Sequence, residues 1–136
     1  MRRPLALLCL PLSAVALAAC GSTATTAGFK GEEHNVAQTI SNLQTDATAA
    51  EQKKICANDM AAALVTRLGG SKGCEAAVKS QLAEVDNLEA TVQSVQVAAG
   101  GKTATARVKS IYEGKTATSA VSFVKEGGKW KISGVG

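Results

Sequence analysis

Few side chains in this 136-residue chain can do covalent, acid–base or metal chemistry, and their spacing narrows the choice further. The cysteines are Cys9, Cys20, Cys56 and Cys74, and no two stand as Cys-x-x-Cys, the spacing of thiol redox motifs. His34 is the one histidine, so multi-histidine metal centres and histidine relays are excluded, and no metal or cofactor is expected. Its neighbours Glu32 and Glu33 make it part of a solvated helix face. Tyr112 remains, and its phase with Ala104, Ala106 and Val108 puts it on the inward face of a strand. A tyrosine packed in a core with its hydroxyl satisfied is the plainer reading, and the chain is expected not to be an enzyme. The run Gly69-Gly70-Ser71-Lys72-Gly73 lacks both the phosphate-loop pattern and a preceding strand, which leaves helix termination as its role.

The remaining reactive cysteine, Cys20, has a context of its own. Arg2 and Arg3 precede an apolar stretch from Leu5 to Ala19, polar only at Ser13 and interrupted by Pro11. A spanning helix needs about 20 apolar residues, so this stretch is too short to cross a bilayer and reads as a cleavable export signal over 1–19. Leu17-Ala18-Ala19-Cys20 resembles the bacterial lipobox, in which a branched apolar residue and two small ones precede an invariant cysteine. The resemblance implies that the Cys20 thiol receives a diacylglyceryl group carrying chains such as palmitate, and that lipoprotein signal peptidase cuts before it. The expected location is extracytoplasmic, anchored to the cell membrane through lipid on Cys20. The pair Arg2-Arg3 also matches the start of a twin-arginine signal, although adjacent arginines are common in any basic region.

Charge and composition restrict the partners. The chain carries 15 Lys+Arg against 11 Asp+Glu. Arg2 and Arg3 leave with the signal, so the exported part is nearly neutral. It lacks the clustered cations and aromatic platforms of a nucleic-acid surface, and nucleic acid is excluded as a partner. From Glu89 onward basic residues outnumber acidic ones but alternate along presumed strands, the pattern of a solvated sheet face. Anionic headgroups near the anchor are the other partner these charges fit. Hydrophobic residues make up 46% of the chain and aromatics only 3%, so the core must come mostly from Ala, Val, Leu and Ile.

Three segments follow: the signal at 1–19, a lipidated flexible tether at 20–31, and one domain at 32–136. Gly21 to Gly28 contains only Ser, Thr, Ala and Gly, too little apolar surface to fold. Val36, Ile40, Leu43 and Ala47 recur at helical spacing, which predicts a first helix from near Glu32. Thr48-Ala49-Ala50-Glu51 has the form of a capping box and predicts the start of a second helix. That helix carries Ile55 and Cys56 inward, and Met60, Leu64 and Leu68 continue it or form a short third helix ended by Gly69-Gly70. Ser71 is expected to cap a further helix with Cys74, Val78, Leu82 and Val85 on one face, ending at Asp86-Asn87.

From Glu89 the period changes. Thr91 to Val97 is rich in β-branched residues. Ala104, Ala106, Val108, Ser110 and Tyr112 alternate with Thr103, Thr105, Arg107 and Lys109, the period of a half-buried strand. Turns are expected at Gly100-Gly101, at Glu113-Gly114 and at Gly127-Gly128, the last joining Val121–Lys125 to Lys129–Ile132 in a tight hairpin. The fold class is α+β: N-terminal helices packed on a curved four-stranded antiparallel meander. Export puts Cys56 and Cys74 in an oxidising compartment on the inner faces of two helices. A disulfide between them is predicted, and a loop of that size corresponds to about 3 kcal/mol in the chain-entropy account. Both helices are expected to bury against the sheet.

A helical half followed by a meander closing on Phe123-Val124-Lys125-Glu126-Gly127-Gly128-Lys129-Trp130-Lys131-Ile132 is similar to the nuclear transport factor two-like, or cystatin-like, cone superfamily, and in particular to small actinobacterial lipoproteins. The resemblance implies a bent sheet with helices in its concavity and Trp130 and Ile132 facing inward. It also implies an analogue of a steroid-isomerase site in Tyr112 with Asp59 or Asp46, although the strand region lacks a His–Asp pair. Two functions are weighed. The first is a non-catalytic, membrane-tethered binding or interaction module for an unknown protein or small apolar ligand. The second is a small-molecule carrier or isomerase-like enzyme using the concave face of the sheet.

Overall fold

The structure, a computed structural model, describes residues 26–83, 89–112 and 114–136, with the side chain of Tyr112 excepted. The export signal, the lipobox around Cys20 and the start of the tether lie outside the described residues, as do Val85, Asp86 and Asn87. Phe29 already packs against the core, three residues ahead of the expected boundary at 32.

The first helix, α1, spans Gly31–Thr48. Glu32 and Glu33 lie in its first turn, where carboxylates meet the positive end of the helix dipole. Val36, Ala37 and Ile40 are buried along one stripe. The expected capping box at Thr48–Glu51 does not form. Thr48 instead closes α1, its hydroxyl donating to the Gln44 carbonyl at 2.8 Å. The Ala50 amide donates to Ala47 O and the Glu51 amide to Asp46 O. This pair is the Schellman pattern of a helix C-terminus, with Ala50 in the left-handed position at φ 55°. A helix end and a helix start draw on the same small polar residues, and here the end prevails.

One short turn, α2 (Gln52–Lys54), runs into a π-helix at Ile55–Asp59, where the Met60 amide donates back to Ile55 O. The wider turn buries Ile55, Cys56 and Asp59 together. Met60 then lies in a parallel bridge with Ile132, and a short third helix, α3 (Ala62–Arg67), follows. The Glu126 carboxylate accepts from the Ala62 amide at 3.1 Å and caps α3 from across the fold. Gly69 and Gly70 end that helix as predicted, with φ of 98° and 80°. Ser71 is not a cap, because α4 spans Gly70–Ala83 and takes it into its first turn. The reversal is tight there: a Cβ on Gly73 would stand 2.0 Å from the Leu68 carbonyl oxygen.

The sheet is a meander of order β1-β2-β3-β4: β1 (Glu89–Val97), β2 (Thr103–Tyr112), β3 (Lys115–Glu126) and β4 (Lys129–Val135). Glu126 pairs with Lys129, so Gly127 and Gly128 form the two-residue turn, both at positive φ as such turns require. Register shifts between Val92 and Ser94 in β1, and opposite Ser122 and Phe123 in β4, are β-bulges that add bend and twist. Ala104, Ala106 and Val108 are buried, while Thr105 and Arg107 point to solvent, as their alternation predicts.

Helices lie on one face of this sheet, and the burial divides into two clusters. In the first, Val36, Ala37 and Ile40 of α1 meet Val95, Ala106, Val108, Val121, Phe123, Trp130 and Ile132. The second holds Ile55, Cys56, Cys74 and Val78, with Leu68 and Leu82 packed around them. Leu43 of α1 touches both. The disulfide is present: Cys56 and Cys74 are bonded at S–S 2.02 Å with Cα atoms 6.1 Å apart. The layer holding it corrects the expected packing. The Cys56 segment does reach the sheet, through the Met60–Ile132 bridge and the Lys131–Ala57 hydrogen bond at β4, whereas α4 with Cys74 packs on α2, the π-helix and α3 while α1 covers the sheet face.

Candidate functional site

A polar cleft of about 650 Å³ opens between α1, the π-helix and the β3–β4 hairpin. On α1 it is lined by Asn35, Gln38, Asn42 and Asp46. Steps of three and four residues keep this stripe beside the apolar stripe that faces the sheet. The Gln38 amide donates to Asn42 Oδ1 at 3.0 Å. The π-helix contributes Asn58 and Asp59, and the hairpin contributes Lys129 and Trp130.

Three interactions hold the walls together. The Thr39 hydroxyl lies 3.2 Å from the Trp130 carbonyl oxygen and links α1 to β4. Glu32 accepts from the Trp130 indole N–H and, at 3.0 Å, from Lys125 Nζ. Lys125 and Trp130 hold the Glu32 carboxyl below the usual carboxylate range, and the Lys125 ammonium stands 5.6 Å above the indole centroid. The Lys131 ammonium donates to Ala57 O at 3.1 Å and fastens the π-helix to β4.

Asp59 is the unusual group of this cleft. It is only 3% exposed, its Oδ2 is closed off from solvent with no N–H donor beside it among the described residues, and Asp59 shares a side-chain hydrogen bond with the Asp46 carboxyl when the pair holds a proton. Burial first, then the charge of the neighbouring Asp46 carboxyl and a hydrogen bond with it, push the Asp59 pKa up to about 7 against the opposing pull of Lys131. Near neutral pH the carboxyl therefore exists in both protonation states.

The other expected site residues fall elsewhere. Tyr112 ends β2 opposite Lys115, and its side chain lies outside the described residues. Ala104 pairs with Phe123, and Phe123 with Ile132, the residue bridged by Met60. The Tyr112 backbone is eight residues further along β2, on the order of 26 Å of strand from that point. Asp46 and Asp59, weighed as alternatives for one role, instead stand together. His34 is half-buried near the start of α1. Among the described residues no group of three His, Cys, Asp or Glu side chains gathers where a metal ion could be held. Sequence reasoning missed Glu32, set aside as solvated surface, and the amide stripe of α1, whose spacing was visible.

Neither the curated proteins nor the solved structures compared with the chain include a match. A family model does match, described as low molecular weight antigen MTB12, C-terminal domain, and it spans residues 34–135. Its description as an antigen fits a small actinobacterial protein that is secreted or held at the cell surface, as does a disulfide between two helical segments. The match takes in the cleft and both apolar clusters, and the chain belongs to the family of the MTB12 antigen C-terminal domain.

Proposed function

We propose that this chain is a lipid-anchored extracytoplasmic binding module that captures a small ligand in the Asp59 cleft without transforming it. The observation that carries the reading is the open polar cleft itself, walled by the amide stripe of α1 with the buried Asp59 carboxyl at its side. Amides and carboxyls spaced along such a wall are the few placed polar groups by which a cleft orients a small ligand. The anchor rests on the lipobox at Leu17-Ala18-Ala19-Cys20. About ten tether residues of flexible composition span roughly 15–20 Å, so the domain would work close to the bilayer. The antiparallel meander with helices on one face and bulges that bend it supports kinship with the cone superfamily, whose members commonly bind ligands.

A second reading is favoured by one observation. A carboxyl with its pKa near 7 suits a general base at neutral pH, as an isomerase-like enzyme would need. Such an enzyme also needs a donor for the developing oxyanion, and the phenol expected for that role belongs to a residue whose backbone is distant along the sheet.

Two measurements test the proposal. Mass spectrometry of the mature amino terminus is expected to find Cys20 carrying a diacylglyceryl group, and Cys20→Ala to leave the protein unprocessed or released. An unmodified mature residue other than Cys20 would remove the anchor. Photo-crosslinking from a probe residue at exposed Asn58 on whole membranes is expected to trap a ligand or partner in the cleft. Trapping that is unchanged by Asp59→Asn would remove the cleft from the reading.

A further inference from the structure

Arg107 and Lys109 occupy alternate positions of β2, an inner strand, about 7 Å apart on the sheet face that the helices do not cover. Their cross-strand neighbours are small. Arg107 pairs with Ser94 of β1 and Ala120 of β3, and Lys109 pairs with Thr91 and Thr118. The two long side chains therefore rise from a floor of hydroxyls and methyl groups, with no large residue across from them to cover their charge. Among the described residues neither takes part in an ion pair. Of the carboxylates that alternation places on the same face, Glu126 accepts from the Ala62 amide, and Glu89 stands at the end of the sheet opposite Ile111. The helical layer is different: α4 sets Lys72 and Lys79 beside Glu75, and Lys54 is paired with Glu51.

Resting on the lipid anchor of the reading above, we propose that this outward face lies on the anchoring bilayer, with Arg107 and Lys109 against the phosphates of anionic headgroups. The hydroxyls of Thr91, Ser94 and Thr118 stand beside them as further donors to phosphate oxygens. Ile111, a large apolar side chain left exposed, follows Lys109 on the same face and adds an apolar contact at the headgroup boundary. The length of the tether agrees with this placement. The chain from Cys20 to Lys30 spans at most about 40 Å when extended, and it ends at the start of α1. Glu32 fixes that start beside the β3–β4 turn through Lys125 and Trp130. Thr103 of β2 pairs with Val124 at the same end, and Arg107 lies about 13 Å further along the strand, within the reach of the tether. The helical face with its cleft then points away from the bilayer. An acidic protein is the other partner that two such cations fit, but the anchor keeps the bilayer constantly within reach.

The test uses the mature protein purified from membranes, with the mass of its amino terminus measured. It is reconstituted in vesicles of phosphatidylcholine with or without phosphatidylglycerol. Benzoylphenylalanine placed at Ala120, on the outward face, or at Lys79, on the exposed side of α4, reports lipid contact by photo-crosslinking. Two cations at an anionic surface favour the proposed orientation by about 30-fold. With phosphatidylglycerol present, lipid adducts from Ala120 are therefore expected to exceed those from Lys79 by about tenfold or more. Without it the excess should fall severalfold. Salt at about 1 M, where the screening length is about 3 Å, should erase it. Arg107→Gln with Lys109→Gln should erase it too, whereas Arg107→Lys with Lys109→Arg should keep it. Equal labelling from the two positions, an excess undiminished without phosphatidylglycerol, or one that survives the double neutralisation would each overturn the proposal. So would a protein-sized adduct in place of lipid from Ala120 on whole membranes, which would assign the face to an acidic protein. Equal labelling in a protein whose Cys20 carries lipid removes the orientation and leaves the anchor. An unmodified amino terminus removes the anchor and the orientation with it.

Discussion

The two apolar clusters stabilise their parts of the chain by different means. On the sheet, α1 meets large side chains brought from distant strands, with Phe123, Trp130 and Ile132 nearly inaccessible. Hydrogen bonds from Glu32 and Thr39 to the hairpin add to that burial. In the outer helical layer the fully enclosed set is Ile55, Cys56, Cys74 and Val78, and two of these four are the disulfide itself. The elements there are short: a three-residue α2, a five-residue π-helix and a six-residue α3. Isolated helices of that length do not persist in water. A covalent link between residues 18 apart holds what burial alone would leave loose. A small domain can thus combine one region stabilised by packing with another held by a staple, and the candidate site lies where the two regions meet.

The largest expected effect comes from breaking the packed region. Trp130→Ala should destabilise the domain by about 3–5 kcal/mol, a large share of the 5–15 kcal/mol typical of whole proteins. Chemical denaturation followed by far-ultraviolet dichroism measures it. A mutant whose midpoint barely moves would mean that the hairpin anchor contributes little.

Breaking the staple should cost less and act locally. Cys56→Ala with Cys74→Ala is expected to lower stability by about 2–4 kcal/mol. Hydrogen exchange should show protection lost in α3 and α4 but kept in β2 and β3. Uniform loss across both regions would show that the two clusters unfold as one unit.

The junction responds to pH in a way that isolates Asp59. Its folded-state pKa, near 7, lies above the ordinary 3.8. Its favourable contribution is therefore complete below about pH 4 and is lost as pH rises through 4 to 7. Asp59→Asn removes that loss. The variant should exceed the wild type by on the order of 2 kcal/mol at pH 8 and show no such gain at pH 4. Urea unfolding at both values checks this, and a gain of equal size at pH 4 would point to a cause other than ionisation.

The smallest effect sharpens the boundary of the outer layer. Ala50 holds a left-handed conformation that glycine adopts without penalty. Ala50→Gly is expected to raise stability by up to about 1 kcal/mol, consistent with the cost of αL for L-residues. A thermal melt that falls instead would indicate that the Ala50 methyl group makes a contact outweighing the strain.

What was legible in the sequence divides along the same line. Strand alternation in Ala104, Ala106 and Val108 and the Gly127-Gly128 turn are local signals, and both held because the sheet face they imply is the one buried. The outer layer was harder to read. The π-helix adds one residue to a turn without any periodic mark, and Thr48 fits either a cap or a terminus, a choice made by the Schellman bonds at Ala50 and Glu51. Asp59 carried no sign of its burial, which depends on Met60 and Lys131 joining the π-helix to β4. The disulfide was readable from compartment and count, but the packing of α4 on the short helices was not, because α1 takes up the sheet face.

The bridge between Met60 and Ile132 also bears on solubility. A meander that does not close into a barrel ends in edge strands, and an exposed edge is a template on which further strands can assemble. Along β4 part of that template is already occupied. The Ala61 amide donates to Ile132 O at 2.8 Å, and the Arg67 guanidinium donates to Ser133 O at 3.0 Å. Two successive carbonyls of this edge are thus engaged from within the chain, and strand-by-strand polymerisation is blocked there by the same segment that brings Asp59 into the cleft.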